Sequence, residues 1–374
     1  WNQVNFCAQR QGMSNGSQHP SKPNESLHHR LYDFAKAALI KIFAHPYAIV
    51  CDLYCGGEGV AHAERWETAP INHYIGIDSE NSGIDEMKEA WESQLKAQYT
   101  AEFFEADPCS EEFQVKMMEK GTEVDIVCCL QNLQLCFETE ENARKLLLNV
   151  SSLLKPGGYF FGITPDSSTI WAKYQKNVET YHNRSGSSKF NIVPNCIRSD
   201  SYMITFEVEE EKFPLFGKKY QLKFSHDPST ETHCLVHFPS LMRLAREAGL
   251  DYVEIQNLTE FYDDNRMQFA AMLSNGGPSL VDSKGRLLPR SYDVLGLYST
   301  FIFRKPDPDN VPPLASPRMK DTSYDHEETV WLGSTWRDDE PIVVPEPPLG
   351  LGKISEQKGI LGPGPPELRF AEAL

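Results

Sequence analysis

Three aspartates, Asp52, Asp78 and Asp107, close three successive apolar runs, and the glycines Gly56, Gly57 and Gly59 follow the first of them. Glycine lets a backbone turn tightly and approach a ligand closely, because no Cβ intervenes. The run VCDLYCGGEG therefore reads as a strand breaking into a ligand-facing turn. In HYIGIDSE, Asp78 ends a second strand after an intervening helix, where a carboxylate can accept hydrogen bonds from ribose hydroxyls. Asp107 ends AEFFEAD and suits an adenine amino group, while Asp52 suits an ammonium group, directly or through water. The competing reading is that each aspartate merely caps the next helix. Three at successive strand ends weaken that reading jointly, and the pattern points to an adenosine-containing cofactor.

Which cofactor follows from charge and spacing. A dinucleotide rests its pyrophosphate on a helix N-terminus, usually behind GxGxxG. Gly56, Gly57 and Gly59 do not have that spacing, and Glu58 would set a negative charge near the phosphates. S-adenosylmethionine instead carries an amino acid and a sulfonium cation, both compatible with nearby carboxylates. A nicotinamide-dependent oxidoreductase is the disfavoured alternative and predicts dinucleotide affinity.

Elements that position these residues are legible in the apolar pattern. Leu31, Phe34, Ala35, Ala38, Leu39 and Ile42 recur at helical spacing over Leu27–Phe43. YAIVCDLY, YIGID, AEFFEAD, DIVCCLQNL and YFFGITP read as strands. The segments AHAERWE, GIDEMKEAWESQLKAQY, EEFQVKMMEK and roughly Glu138–Leu154 read as the helices between them, the last closed by Lys155–Gly158. Alternation of this kind implies a mainly parallel sheet covered on both faces, with ligands at the carboxyl ends of the strands. SYMITFEVEE and KKYQLKFS suggest an antiparallel insert within residues 165–235. FPSLMRLAREAGL reads as a helix stopping at Gly249, and DYVEIQNL as a strand. After a mobile-looking region near 274–292, LGLYSTFIFRK reads as a final edge strand.

The expected organisation is a disordered segment over 1–26, one domain over 27–305, and a Pro/Gly-rich disordered tail over 306–374. Trp331, Leu332 and Trp336 in that tail read either as a docking peptide or as residues packed back on the domain. A net charge of −17 argues against a protein that coats nucleic acid, though not against a pocket gripping one nucleotide. The odd count of nine cysteines, without a secretory leader, favours a reducing compartment. Cys51 and Cys55 are spaced CxxxC but lack a His–Cys partner pattern, so no metal is expected, and no apolar run reaches membrane-spanning length.

The runs VCDLYCGGEG, YIGID, FFEAD, LLKPGGYFFGITPDS, FPLFGKKYQLKF, LVHFP and EFYDDNR, in this order, make the chain resemble the eukaryotic mRNA cap guanine-N7 methyltransferases, particularly divergent plant members. The resemblance covers about Leu31 to Lys305. It implies a Rossmann-like class I S-adenosylmethionine-dependent fold and methyl transfer to N7 of the 5′-terminal guanosine of capped mRNA. A monomer in the nucleus is implied, with the tail available to capping or transcription machinery. On the cofactor side the resemblance implies Lys36, Asp52, Tyr54, Asp78, Asp107, Leu130 and Gln131; on the cap side, Tyr32, Gln134, Phe216, Glu231, His233 and Tyr298.

The chain departs from the family pattern at several of these positions. Tyr54 and Glu58 stand where the family has glycine, and a side chain at 54 is expected to narrow the methionine end of the pocket. Tyr32 replaces an asparagine, and Gln134–Leu135 replace a cap-contacting His-Tyr pair. The glutamate before LVxFP falls at His233, or at Glu231 after a slip. Phe216 and Tyr298 match family cap positions, with core and sheet packing as their plainer readings. These departures keep open a retuned or catalytically impaired paralogue that acts as an RNA- or protein-binding module.

Overall fold

The computed structural model describes residues 27–58, 60–67, 69–93, 99–183, 193–207, 212–225, 227–274 and 279–310. Gly59, the N-terminal segment, and the tail with Trp331, Leu332 and Trp336 lie outside them. Contacts divide the chain after Pro306. Of the second unit, only residues 307–310 are described, with a turn of 3₁₀ helix at Pro308–Asn310.

Strands β1 (Ala48–Leu53), β2 (Ile71–Asp78), β3 (Thr100–Glu105), β4 (Val124–Cys129) and β5 (Leu154–Pro165) form the parallel part of a seven-stranded sheet. Its order is β10-β11-β5-β4-β1-β2-β3, where β10 is Asp251–Asn257 and β11 is Tyr298–Arg304. Chain direction reverses between β5 and β11, which pair antiparallel. Successive strand residues point to opposite faces, and the two cores follow this alternation. Val50, Ile126 and Phe161 join one, with helix α1 (Leu27–Phe43). Cys51, Val127 and Phe160 join the other, beneath α4 (Glu111–Lys120), α5 (Glu140–Leu153) and α7 (Phe238–Glu247). Helices α2 (Val60–Glu67) and α3 (Asn81–Glu92) complete the crossovers around β2. The mainly parallel sheet with helices on both faces is the architecture expected from the sequence.

The insert begins with α6 (Ser167–Asn183) and continues as an antiparallel sheet of β6 (Cys196–Arg198), β7 (Tyr202–Phe206), β8 (Lys219–Phe224) and β9 (Glu231–Cys234). Tyr220, Leu222 and Phe224 of β8 turn inward while Lys219, Gln221 and Lys223 face solvent.

Several expectations need correction. β11 is not an edge strand: it lies between β10 and β5, with six of its seven residues buried. Its run YSTFIFR is apolar enough to be covered on both faces, and β10, with its more exposed residues, takes the edge. The stretch expected to be mobile holds a Val281–Leu287 bridge and helix α9 (Pro289–Leu295) in its described part. Lys155–Gly158 begins β5 rather than only closing α5, because Gly157 donates to the Lys305 carbonyl and Lys305 to that of Gly158. Helix α6 and helix α8 (Leu258–Ser274) had no sequence assignment.

Candidate cofactor and cap site

Chain order reverses across β4-β1-β2, and the carboxyl ends of these strands gather the predicted residues. After β1 the backbone enters a left-handed conformation at Tyr54 (φ 58°) and again at Gly57 (φ 88°). Between them, the Gly56 amide donates to Asp78 Oδ2 at 2.8 Å, and the Glu80 amide donates to Asp78 Oδ1 at 2.9 Å. A Cβ on Gly56 would meet Gly83 Cα at 2.7 Å and Asp78 Oδ2 at 2.8 Å, so only glycine fits there. Asp78 thus braces the turn with the same carboxylate that the sequence assigns to ribose.

Gln131, just past β4, fastens the turn from the other side. Its Nε2 donates to the Tyr54 carbonyl at 2.6 Å and the Gly56 carbonyl at 2.7 Å. Its Oε1 accepts from Lys36 Nζ at 3.0 Å. Lys36 is fully buried on α1 and also donates to Glu58 Oε1 at 2.5 Å. Burial first, and then the Arg65 charge, hold its pKa well below the usual lysine range. Arg65 donates to the other Glu58 oxygen and, at 2.7 Å, to Asp33.

Asp52 is fully buried, and its Oδ2 collects three groups: the Tyr74 hydroxyl at 3.0 Å, His62 Nε2 at 2.7 Å and Trp66 Nε1 at 3.2 Å. It therefore sits behind the turn rather than in an open cleft. Burial and the Asp52 charge push the Tyr74 hydroxyl well above its ordinary pKa, which keeps it a donor. Sequence reading missed His62, Arg65, Trp66 and Tyr74. The signal was present in α2, where 62, 65 and 66 fall on one helical face.

Tyr54 turns its ring into the core instead of narrowing the pocket, contrary to expectation. Its hydroxyl lies 3.1 Å from Cys136 Sγ and 3.8 Å from Cys109 Sγ. Only its backbone carbonyl reaches the turn. Asp107 lies two residues beyond β3, exposed, where its Oδ1 accepts from the Cys109 amide at 2.9 Å. It shapes a turn, and Ser110 rather than Asp107 caps α4.

Among the residues expected on the acceptor side, the rings of Tyr32 and Tyr298 lie 4.9 Å apart. Lys36 Nζ sits 4.5 Å over the Tyr32 ring, and the Tyr32 hydroxyl donates to the Leu130 carbonyl at 2.9 Å. A second group joins Gln134 Nε2 to His233 Nδ1 at 2.8 Å and His233 Nε2 to Glu231 Oε2 at 2.9 Å. Glu231 and His233 share one face of β9, so the structure brings both alternatives together. His233 is the main reason the Glu231 carboxyl stays below its ordinary pKa. Leu135 is exposed. Phe216 stacks on Phe137, with centroids 6.0 Å apart, rather than on Tyr32 or Tyr298.

Eight described cysteines are free and buried, Cys51 and Cys55 included. Among the described residues, no helix is long and apolar enough to cross a membrane.

The mRNA (guanine-N(7))-methyltransferase domain profile matches residues 19–306. The chain belongs to the mRNA (guanine-N(7))-methyltransferase family. It is 65% identical over 354 residues to mRNA cap guanine-N(7) methyltransferase 2 of Arabidopsis thaliana, covering 95% of this chain and 98% of that protein. To the protein of the same name from Oryza sativa subsp. japonica it is 60% identical over 344 residues, covering 92% and 98%. The mRNA cap guanine-N(7) methyltransferase of Saccharomyces cerevisiae is 30% identical over 234 residues, which cover 61% of this chain and 51% of that protein. This chain is therefore an S-adenosylmethionine-dependent cap guanine-N7 methyltransferase. Lys36, Gln131, Asp78 and the glycine turn fit that cofactor: a buried lysine, a half-buried glutamine and a carboxylate converge on a backbone that leaves no room for a Cβ at Gly56.

Proposed function

We propose that this family member, of the class I methyltransferase fold, works by alignment rather than by general acid–base catalysis. N7 of guanine already carries an in-plane lone pair. As the N7–carbon bond forms, the carbon–sulfur bond breaks and its electron pair returns to sulfur, leaving a positively charged methylguanine and S-adenosylhomocysteine. No proton moves at N7, so the protein has to supply orientation and electrostatics.

Lys36, Gln131 and the Tyr54 carbonyl hold the amino-acid end of the donor, with Asp52 bracing the turn from behind. Asp78 holds the ribose, and Asp107 borders the adenine. Tyr32 and Tyr298 present aromatic surface to the guanine, whose polar edge meets Gln134, His233 and Glu231. Phe216 borders this side from the PLFG turn. The reading is carried by one contact: the Tyr32 hydroxyl bonds to the Leu130 carbonyl, one residue before Gln131. That bond ties the aromatic pair to the segment after β4 whose Gln131 grips the glycine turn. The chain acts as a monomer on capped RNA in the nucleus, and its Pro-rich tail binds a partner of the capping or transcription machinery.

The test is to incubate purified protein with methyl-labelled donor and matched capped and uncapped RNAs. Label entering only the capped RNA, at N7, is expected. Transfer that ignores the cap, or none from folded protein, would overturn the assignment.

A further inference from the structure

Glu58 is held between two cationic side chains. Its two oxygens divide between Lys36 Nζ, at 2.5 Å, and Arg65 Nη2, and its second oxygen also lies 3.9 Å from His62 Nδ1. Lys36 and Arg65 are both buried, whereas about a quarter of the Glu58 side chain remains exposed, at 27%. Lys36 is in turn held by Gln131, which grips the glycine turn. A buried ammonium and guanidinium with no carboxylate between them would be costly. Arg65 also bonds Asp33, so among the described residues Glu58 is the carboxylate that pairs with Lys36, and it bridges Lys36 to Arg65 from a short, partly exposed loop.

We propose that Glu58 is an internal competitor for the carboxylate of the cofactor's amino acid, and that the donor must displace it from Lys36 and Arg65 to bind. This rests on the placement of the donor's amino-acid end at Lys36. Charge makes the exchange direct, because one carboxylate replaces another between the same two cations. In the latched state Lys36 and Arg65 remain neutralised and the turn stays ordered. Affinity for the donor is then reduced by the fraction of molecules in which Glu58 holds the cradle.

The discriminating ligand is decarboxylated S-adenosylmethionine, which keeps the nucleoside and sulfonium but has nothing to exchange with Glu58. Calorimetry on the full chain would compare wild type with Glu58→Gln, whose neutral side chain keeps the shape and loses the charge. The expected result is about tenfold tighter S-adenosylmethionine binding by the variant, with the decarboxylated ligand unchanged within about twofold. Unchanged or weaker S-adenosylmethionine binding by the variant would overturn the latch, as would equal tightening of both ligands. S-adenosylhomocysteine titrated into wild type serves as the control. If it binds, the site assignment stands, and a flat Glu58→Gln result counts against the latch alone. Failure of wild type to bind it removes the cofactor placement and the latch with it. Thermal melting of the unliganded variant separates a folding defect from a change in affinity, and Glu58→Gly repeats the comparison without any side chain to compete.

Discussion

Gln134 and His233 are separated by 99 residues and hydrogen-bonded at 2.8 Å. The bond joins the 3₁₀ helix Leu133–Glu138, which follows β4, to strand β9 of the insert. It thereby ties the sheet that carries the glycine turn to the smaller sheet. Beyond it, His233 reaches Glu231, so a short polar chain ends in a carboxylate.

Gln134→Ala and His233→Ala should each weaken cap-analogue binding while leaving S-adenosylmethionine binding nearly intact. Removing either partner strands a polar group of the other, and the double variant should cost less than the sum of the singles. The coupling should be about 0.5–1.5 kcal/mol, the range of an ordinary hydrogen bond. Titration of cap analogue into the four proteins of the cycle gives this number, and strict additivity would refute the link.

Gly56 has closer neighbours than Gly57, the other described glycine of the turn. Gly56→Ala places a methyl group against the Gly83 backbone, at 2.7 Å, and against Asp78, so something other than a flexible side-chain tip must move. The strain should cost about 1–3 kcal/mol of stability and break the Gly56–Asp78 bond, with donor affinity falling at least about tenfold, as 1.4 kcal/mol of binding energy would give. Gly57→Ala meets nothing nearby and is penalised only through its left-handed backbone, so it should bind the donor better than Gly56→Ala does. Equal affinities in the two variants would show that the turn tolerates crowding.

Much of this was legible beforehand because strand-to-turn transitions leave local marks. Apolar runs ending in Asp52 and Asp78, with glycines after the first, mark both the parallel strands and the point where the first gives way to the glycine turn. Legibility failed where a residue's role depends on distant partners. Nothing near Tyr54 in sequence reveals Cys136 and Cys109, the thiols that draw its ring into the core. Glu231 and His233 were alternatives along one dimension, yet a strand places residues two apart on the same face, and Gln134 then meets both as a chain. Asp107 is equivalent to the other aspartates only if AEFFEAD is strand throughout; β3 stops at Glu105, and past its end the Asp107 side chain bonds its own loop. β11 read as an edge because it comes last, although an antiparallel strand can be inserted between neighbours that precede it.

Asp52 depends on donors from two elements. Tyr74→Phe removes one hydroxyl from a fully buried carboxylate, together with that hydroxyl's 3.2 Å contact to His62 Nε2. A hydrogen bond to a charged group is worth about 1.5–3 kcal/mol, and removal should lower stability by that order. The midpoint of urea unfolding should fall with an unchanged slope. Tyr32→Phe breaks a less buried, neutral bond to Leu130 and should cost about 0.5–1.5 kcal/mol, with its larger effect on cap-analogue binding. A Tyr74→Phe protein as stable as wild type would mean that His62 and Trp66 already satisfy the carboxylate.

His28 should make stability depend on pH. It lies buried at the start of α1, stacked on Phe224 with centroids 3.8 Å apart and 3.7 Å from Asp227. Burial, and then the neighbouring His29, push its pKa from the ordinary 6.5 down to about 4; Glu231 and Asp227 offset this only partly. The folded state thus disfavours the charged imidazole, while the unfolded chain accepts its proton near 6.5. Between these values the unfolded state binds more protons, so the stability contributed by neutral His28 is fully present above about 6.5 and is lost as pH falls toward about 4. His28→Phe keeps the stacking partner and removes the titration. Urea midpoints measured through this window should fall more steeply with acid for wild type than for the variant, because carboxylates other than Asp227 and Glu231, which face His28, cancel in the comparison. Parallel curves would show that His28 takes up its proton equally well folded and unfolded.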